Sequence, residues 1–139
     1  YTLTPRKAND STTNNGLTTL DIILMRRHIL NDDTLSSPYK ILAGDVNFSN
    51  AITTLDIVLT RRVILQTTPT FPGGRLWTFI NSDFVFANPM SPWPYEDFRT
   101  YPSAATAAGQ DFVGVKLGDV NNSWSPSIAK QGYVGEYLE

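Results

Sequence analysis

A gapless internal repeat constrains this chain more than any other feature. The stretch from Asp10, DSTTNNGLTTLDIILMRRHIL, aligns on the stretch from Asp45, DVNFSNAITTLDIVLTRRVIL. Asp10/Asp45, Asn15/Asn50, Thr18/Thr53, Thr19/Thr54, Leu20/Leu55, Asp21/Asp56, Arg26/Arg61, Arg27/Arg62 and Leu30/Leu65 match. A TTLD box and an RR pair at the same spacing twice are a duplication, and repeats decide architecture. Each copy begins with a stretch rich in Asp, Asn, Ser and Thr, whose side chains bond nearby backbone and favour turns. Each continues into a run without Gly or Pro, Asp21 to Leu30 and Asp56 to Leu65, that predicts a helix. Thr18 or Thr19, and Thr53 or Thr54, are the candidate caps, and Asp21 and Asp56 fall in the first turn, where the helix dipole favours a carboxylate. Asn31-Asp32-Asp33 stops the first helix and Gln66-Thr67-Thr68-Pro69 the second.

The polar stretches have the spacing of calcium loops. Calcium takes six to eight oxygens, and a twelve-residue loop offers them at positions one, three, five, seven (by carbonyl), nine (often through water) and twelve. The second copy places Asp45, Asn47, Ser49, the Ala51 carbonyl, Thr53 and Asp56 there. The first places Asp10, Thr12, Asn14, the Gly16 carbonyl, Thr18 and Asp21. In the second loop oxygen-bearing residues alternate with Val46, Phe48, Ile52 and Leu55, which is the specific part of the signal. The sixth position carries Asn15 or Asn50 where such loops prefer Gly, and Asn tolerates the left-handed conformation. Two carboxylates per loop predict modest affinity, suited to calcium-rich surroundings. The plainer alternative is an Asx-rich turn that only caps a helix.

A loop of this form, followed directly by a helix and repeated after a short linker, resembles a type I dockerin with its duplicated F-hand repeats. The resemblance covers residues 8–66. It implies two calcium ions, a pseudo-twofold pair of helices and a cohesin partner. The family's contact positions correspond to Thr19, Leu20, Arg26 and Arg27, and to Thr54, Leu55, Arg61 and Arg62. The family often has Ser-Thr where this chain has Thr-Leu, a departure that points away from a standard cellulosomal cohesin.

Helical periodicity of about 100° per residue puts Ile22, Leu24, Met25, His28 and Ile29 on one side of the first helix. Ile57, Leu59, Thr60, Val63 and Ile64 take the same side of the second. The opposite sides carry Ile23, Leu30, Val58, Leu65 and the four arginines, too apolar for a solvated face; a partner or the rest of the chain is expected to cover them. His28 and Met25 read as packed residues.

From Thr67 the texture changes: prolines cluster, and aromatics concentrate between Phe71 and Tyr101. Leu76–Ile80, Phe84–Phe86 and Phe112–Leu117 are strand-like, with Asn81-Ser82-Asp83 as a hairpin turn. The expected fold is therefore α+β, two calcium loop–helix repeats with a small antiparallel β segment in the second half. Residues 67–124 form an aromatic, proline-rich insertion packed on the repeats, and 125–139 a linker or tail. Gly118-Asp119-Val120-Asn121 repeats Gly44-Asp45-Val46-Asn47, and Ser123 matches Ser49, but Trp124-Ser125-Pro126 interrupts the loop. This third start either turns the chain or lends Asp119, Asn121 and Ser123 to a third ion. Dockerin-like repeats, an aromatic insertion and a GDVN box together resemble the ends of secreted and surface proteins of Bacteroidetes, which implies an extracellular or cell-surface address.

The remaining properties narrow the function classes. The chain has 139 residues, a net charge of −2, no cysteine and one histidine. No basic footprint marks nucleic acid or anionic membrane, and no apolar run approaches the roughly 20 residues of a membrane helix. Thiolate metal sites and a Ser-His-Asp triad lack their parts, and adjacent Glu96-Asp97 is a poor glycosidase pair. Tyr1 in place of Met suggests a fragment or processed form, and Leu138-Glu139 a cloning scar. The leading expectation is a docking module and not an enzyme. The alternatives are a structural module locked onto an adjacent domain of the same chain, or a carbohydrate-binding appendage using Trp93 and its aromatic neighbours.

Overall fold

A computed structural model of the chain describes residues 2–7, 10, 13–100 and 111–125. Among them the fold is α+β. The duplicated runs become α1 (Thr19–Ile29) and α3 (Thr54–Ile64), each beginning two residues before its buried aspartate. Thr18 and Thr53 are the N-caps, and the carboxylates of Asp21 and Asp56 reach back to accept their backbone N–H groups at 2.8 and 2.7 Å. Beyond the C-caps, Asn31 and Gln66 take left-handed conformations, φ 59° and 58°, which end the two helices in the same way. Between them lies α2 (Pro38–Gly44), which the apolar periodicity did not announce. Its signal is Ser37-Pro38: the serine hydroxyl accepts the Tyr39 N–H at 3.2 Å, and proline takes the first helical position.

Two two-stranded antiparallel sheets complete the described fold. β1 (Thr2–Leu3) pairs with β3 (Arg99–Thr100), and β2 (Trp77–Asn81) pairs with β4 (Phe112–Lys116), with Phe79 opposite Gly114. The expected hairpin through Asn81-Ser82-Asp83 does not form, and Phe84–Phe86 is not a strand. Phe84 and Phe86 instead pack edge to face at 5.0 Å against the core, and Phe86 meets Tyr39 at 5.5 Å. Packing two half-buried aromatics on the core outweighs a short ladder, and β2 takes the more distant Phe112–Lys116 as its partner.

The core joins both halves of the chain. One cluster gathers Met25, Ile41, Leu42, Ile80, Val115 and Val120, and a second gathers Leu17, Val46, Val63, Phe71 and Leu117. Each GDVN box thus sends its valine, Val46 or Val120, into the interior. The expected buried sides of α1 and α3 are the buried and half-buried ones. His28 is half-buried and accepts the Leu35 N–H on Nδ1 at 3.0 Å, a packing role.

Candidate metal centre and docking face

The second loop closes on itself. Asp45, 2 % exposed, accepts the Ser49 N–H on Oδ1 and the Asn50 N–H on Oδ2, both at 2.9 Å. Ser49 Oγ lies 3.1 Å from the Ala51 carbonyl, to which it donates. Asp56, fully buried, accepts the Val46 N–H on Oδ1 at 3.0 Å and the Thr53 N–H on Oδ2. Asn50 has φ 65°, the left-handed turn that the sequence requires at the sixth station. Asp45 and Asp56 are close enough to repel. Burial, helped by that repulsion, pushes the Asp56 carboxyl above the usual carboxylate range. Among the described residues neither acid forms an ion pair. The Asn47 amide oxygen is sealed from solvent with no hydrogen-bond partner.

The first loop is arranged differently. Asp21 is fully buried, and its carboxyl is pushed up to about 6 by burial, with the negative charge of Asp119 adding to the effect. The Asn121 N–H donates to Asp21 Oδ1 at 3.3 Å, and Ser123 Oγ donates to the Gly16 carbonyl at 3.0 Å. Asp10 has other partners. It forms an ion pair with the buried Lys116 and accepts the indole N–H groups of Trp77 and Trp124 at 3.2 and 3.1 Å. Asn15 Nδ2 also donates to Asp10, at 3.3 Å. Asn14 turns its amide to the Ile64 carbonyl at 3.3 Å, near the end of α3. Thr12 lies outside the described residues. The GDVN repeat was the signal that pointed to Asp119, Asn121 and Ser123. Sequence alone gave no reason to join them to Gly16 and Asp21.

The opposite faces of α1 and α3 lie open. Thr19, Leu20, Arg26, Arg27, Thr54, Leu55, Arg61 and Arg62 are all exposed. Between them stand Ile23, Leu30, Val58 and Leu65, and the six exposed aliphatic side chains of the two helices range from 42 % to 66 % exposed. α1 and α3 pack on one another, so equivalent residues of the two copies belong to one helix pair. Among the described residues the aromatic insertion does not cover them. Trp93 and Tyr95 are half-buried and packed on the core, with the Tyr95 hydroxyl 2.7 Å from Thr78 Oγ1.

No protein-family model matches the chain, and neither the curated proteins nor the solved structures yielded a significant match.

Proposed function

We propose that this chain is a calcium-binding docking module of the dockerin type, holding a cohesin-like protein partner outside a bacterial cell. The observation that carries the reading is the doubled open face: leucine, aliphatic, arginine pair, leucine, at equivalent places on α1 and α3. Lone exposed leucines are ordinary, but six aliphatics framed by four arginines on one helix pair form a patch of the kind that marks an interaction site. Arginine adds bidentate pairing with carboxylates, so the fitting partner presents acidic side chains around an apolar centre.

Calcium supports this face from beneath. Two buried aspartates beside one another without a cation are unfavourable, and an orphaned buried amide oxygen costs about 1–3 kcal/mol. An oxygen-seeking cation resolves both, because it takes carboxylate, amide, hydroxyl and carbonyl oxygens together. Asp45, Asn47, Ser49, Ala51, Thr53 and Asp56 would hold it at the foot of α3. Few charges per loop fit a site filled from calcium-rich surroundings. The exposed arginines speak against a module locked down by its own insertion, and the packed Trp93 and Tyr95 against a glycan platform.

The test is surface plasmon resonance of the chain against a panel of cohesin domains, in calcium and in EDTA. Binding should need calcium, and Arg26→Glu with Arg61→Glu should weaken it at least roughly 30-fold, as loss of interface arginines does. Equal binding by this double variant, or by the chain in EDTA, would sink the docking reading. Binding to a glycan array that Trp93→Ala abolishes would instead favour the carbohydrate-binding alternative.

A further inference from the structure

The second loop provides a template against which the surroundings of Asp21 can be laid. Asp119 stands as Asp45 does: it accepts the Ser123 N–H on Oδ1 at 2.9 Å and the Trp124 N–H on Oδ2 at 2.7 Å. Asn122 and Phe48 share one left-handed conformation, φ 57° and 58°. Ser123 Oγ reaches the Gly16 carbonyl as Ser49 Oγ reaches that of Ala51. Leu17 presses on the bare α-carbon of Gly118 as Ile52 presses on Gly44, so that an added Cβ would lie 2.8 or 2.7 Å from the aliphatic side chain. Residues 119–124 therefore repeat stations one to six of the loop, and residues 16–21 repeat stations seven to twelve. Only the peptide link between stations six and seven is missing. There the two segments touch: a Cβ on Gly16, at φ 85°, would fall 2.8 Å from Trp124 Cβ and 2.9 Å from its Cα.

Two observations reach beyond loop geometry. The Asn121 amide oxygen is sealed from solvent and has no hydrogen-bond partner, as at Asn47, the equivalent third station. Asp10, which competes for the first station by sequence spacing, is consumed elsewhere by Lys116 and two indoles.

We infer that the first calcium site is a composite of two distant segments, with Asp119, Asn121 and Ser123 supplying side-chain oxygens and Gly16, Thr18 and Asp21 supplying the rest. Asp10, Thr12 and Asn14 are not ligands, and the GDVN box serves no third ion. The inference rests on the calcium reading above and specifies which residues carry it out.

Side-chain carboxyl carbon NMR of the full wild-type chain tests it without any variant. Calcium should shift the carboxyl signals of Asp45, Asp56, Asp21 and Asp119 and leave that of Asp10 in place. A shift at Asp10 with none at Asp119 would overturn the composite site. No shift at any of the five would remove the calcium reading itself, and the inference with it. Native mass spectrometry supplies a second measure: two ions per chain, falling to one in Asp119→Ala and one in Asp45→Ala. Three ions in the wild type, or two retained in Asp119→Ala, would equally overturn it.

Discussion

The two sites offer the same arrangement of oxygens by different routes. At α3 one unbroken run from Asp45 to Asp56 supplies every station, and the hydrogen bonds that shape it span ten residues or fewer. At α1 the bonds around Asp119 are as local, but those that join its segment to the helix link residues about one hundred positions apart, such as Asn121 with Asp21. The difference teaches that the arrangement of a loop–helix unit is defined by which oxygens face one another in space and not by chain continuity. It also shows what continuity had been providing. Where the peptide link is absent, a buried cluster takes its place: Asp10, Lys116, Trp77 and Trp124 pin the end segment beside β2 and β4. Lys116 also feels the charge of Asp119, so the cluster and the candidate site adjoin.

The largest effect expected is common to both sites. EDTA should lower the melting temperature by roughly 20 °C or more, since an ion at a thousandfold its dissociation constant adds about 4 kcal/mol per site. Unchanged melting would end the comparison, because neither site would then be a metal site.

Next come changes that separate the acids. Lys116→Met leaves Asp10 buried without its cation and should cost about 3–5 kcal/mol in denaturant unfolding, in calcium and in EDTA alike. Adding Asp10→Asn should recover much of that loss, because the uncompensated charge goes. Asp56→Ala and Asp119→Ala should instead each cost about 3–4 kcal/mol in calcium and far less in EDTA, following the loss of one bound ion. If Asp119→Ala behaves like Lys116→Met, indifferent to calcium, the GDVN segment is only structural.

The smallest expected effect is one of sign. Without calcium the raised Asp21 and Asp56 carboxyls hold protons in the folded chain that the unfolded chain has released. Their contribution to stability is therefore full at low pH and is lost as pH rises, for Asp21 from about 4 to about 6 and for Asp56 in the same direction. The calcium-free chain should thus melt a few degrees higher near pH 5 than near pH 7.5. His28, whose half-buried ring is held below the usual imidazole range by desolvation, opposes this weakly as pH falls below about 6.5. A His28→Gln background removes the opposition. With calcium bound the trend should reverse, since protons then compete with the ion. The same slope in both conditions would mean that the two aspartates do not meet the metal.

Much of this was legible in the sequence because it is local. The capping aspartates, the buried and open sides of α1 and α3, and the strands at Trp77–Asn81 and Phe112–Lys116 follow from spacing and period. What escaped is what needs partners far away. Asp10 sits at the right distance from Asp21 in the chain, so any reading by spacing gives it the first station. In space its carboxylate meets Lys116 and two indoles, partners that spacing along the chain does not announce. The Phe84–Phe86 run failed for a related reason, since alternation cannot tell a strand from two aromatics turned into the core. The GDVN repeat at Gly118 was visible, yet its continuation through Trp124-Ser125-Pro126 hid the residues that complete its arrangement.

The hundred-residue span between Asn121 and Asp21 also sets an order in time. Closing it from an open chain costs about 2 kcal/mol more than closing a twelve-residue loop, by the logarithmic growth of closure entropy. The loop at Asp45 can therefore form early, from neighbours alone. The other waits until β2 has met β4 and brought the segment after Lys116 to the helix. Calcium uptake should accordingly fall into a fast and a slow phase, the slow one recording the moment at which these two distant segments are joined.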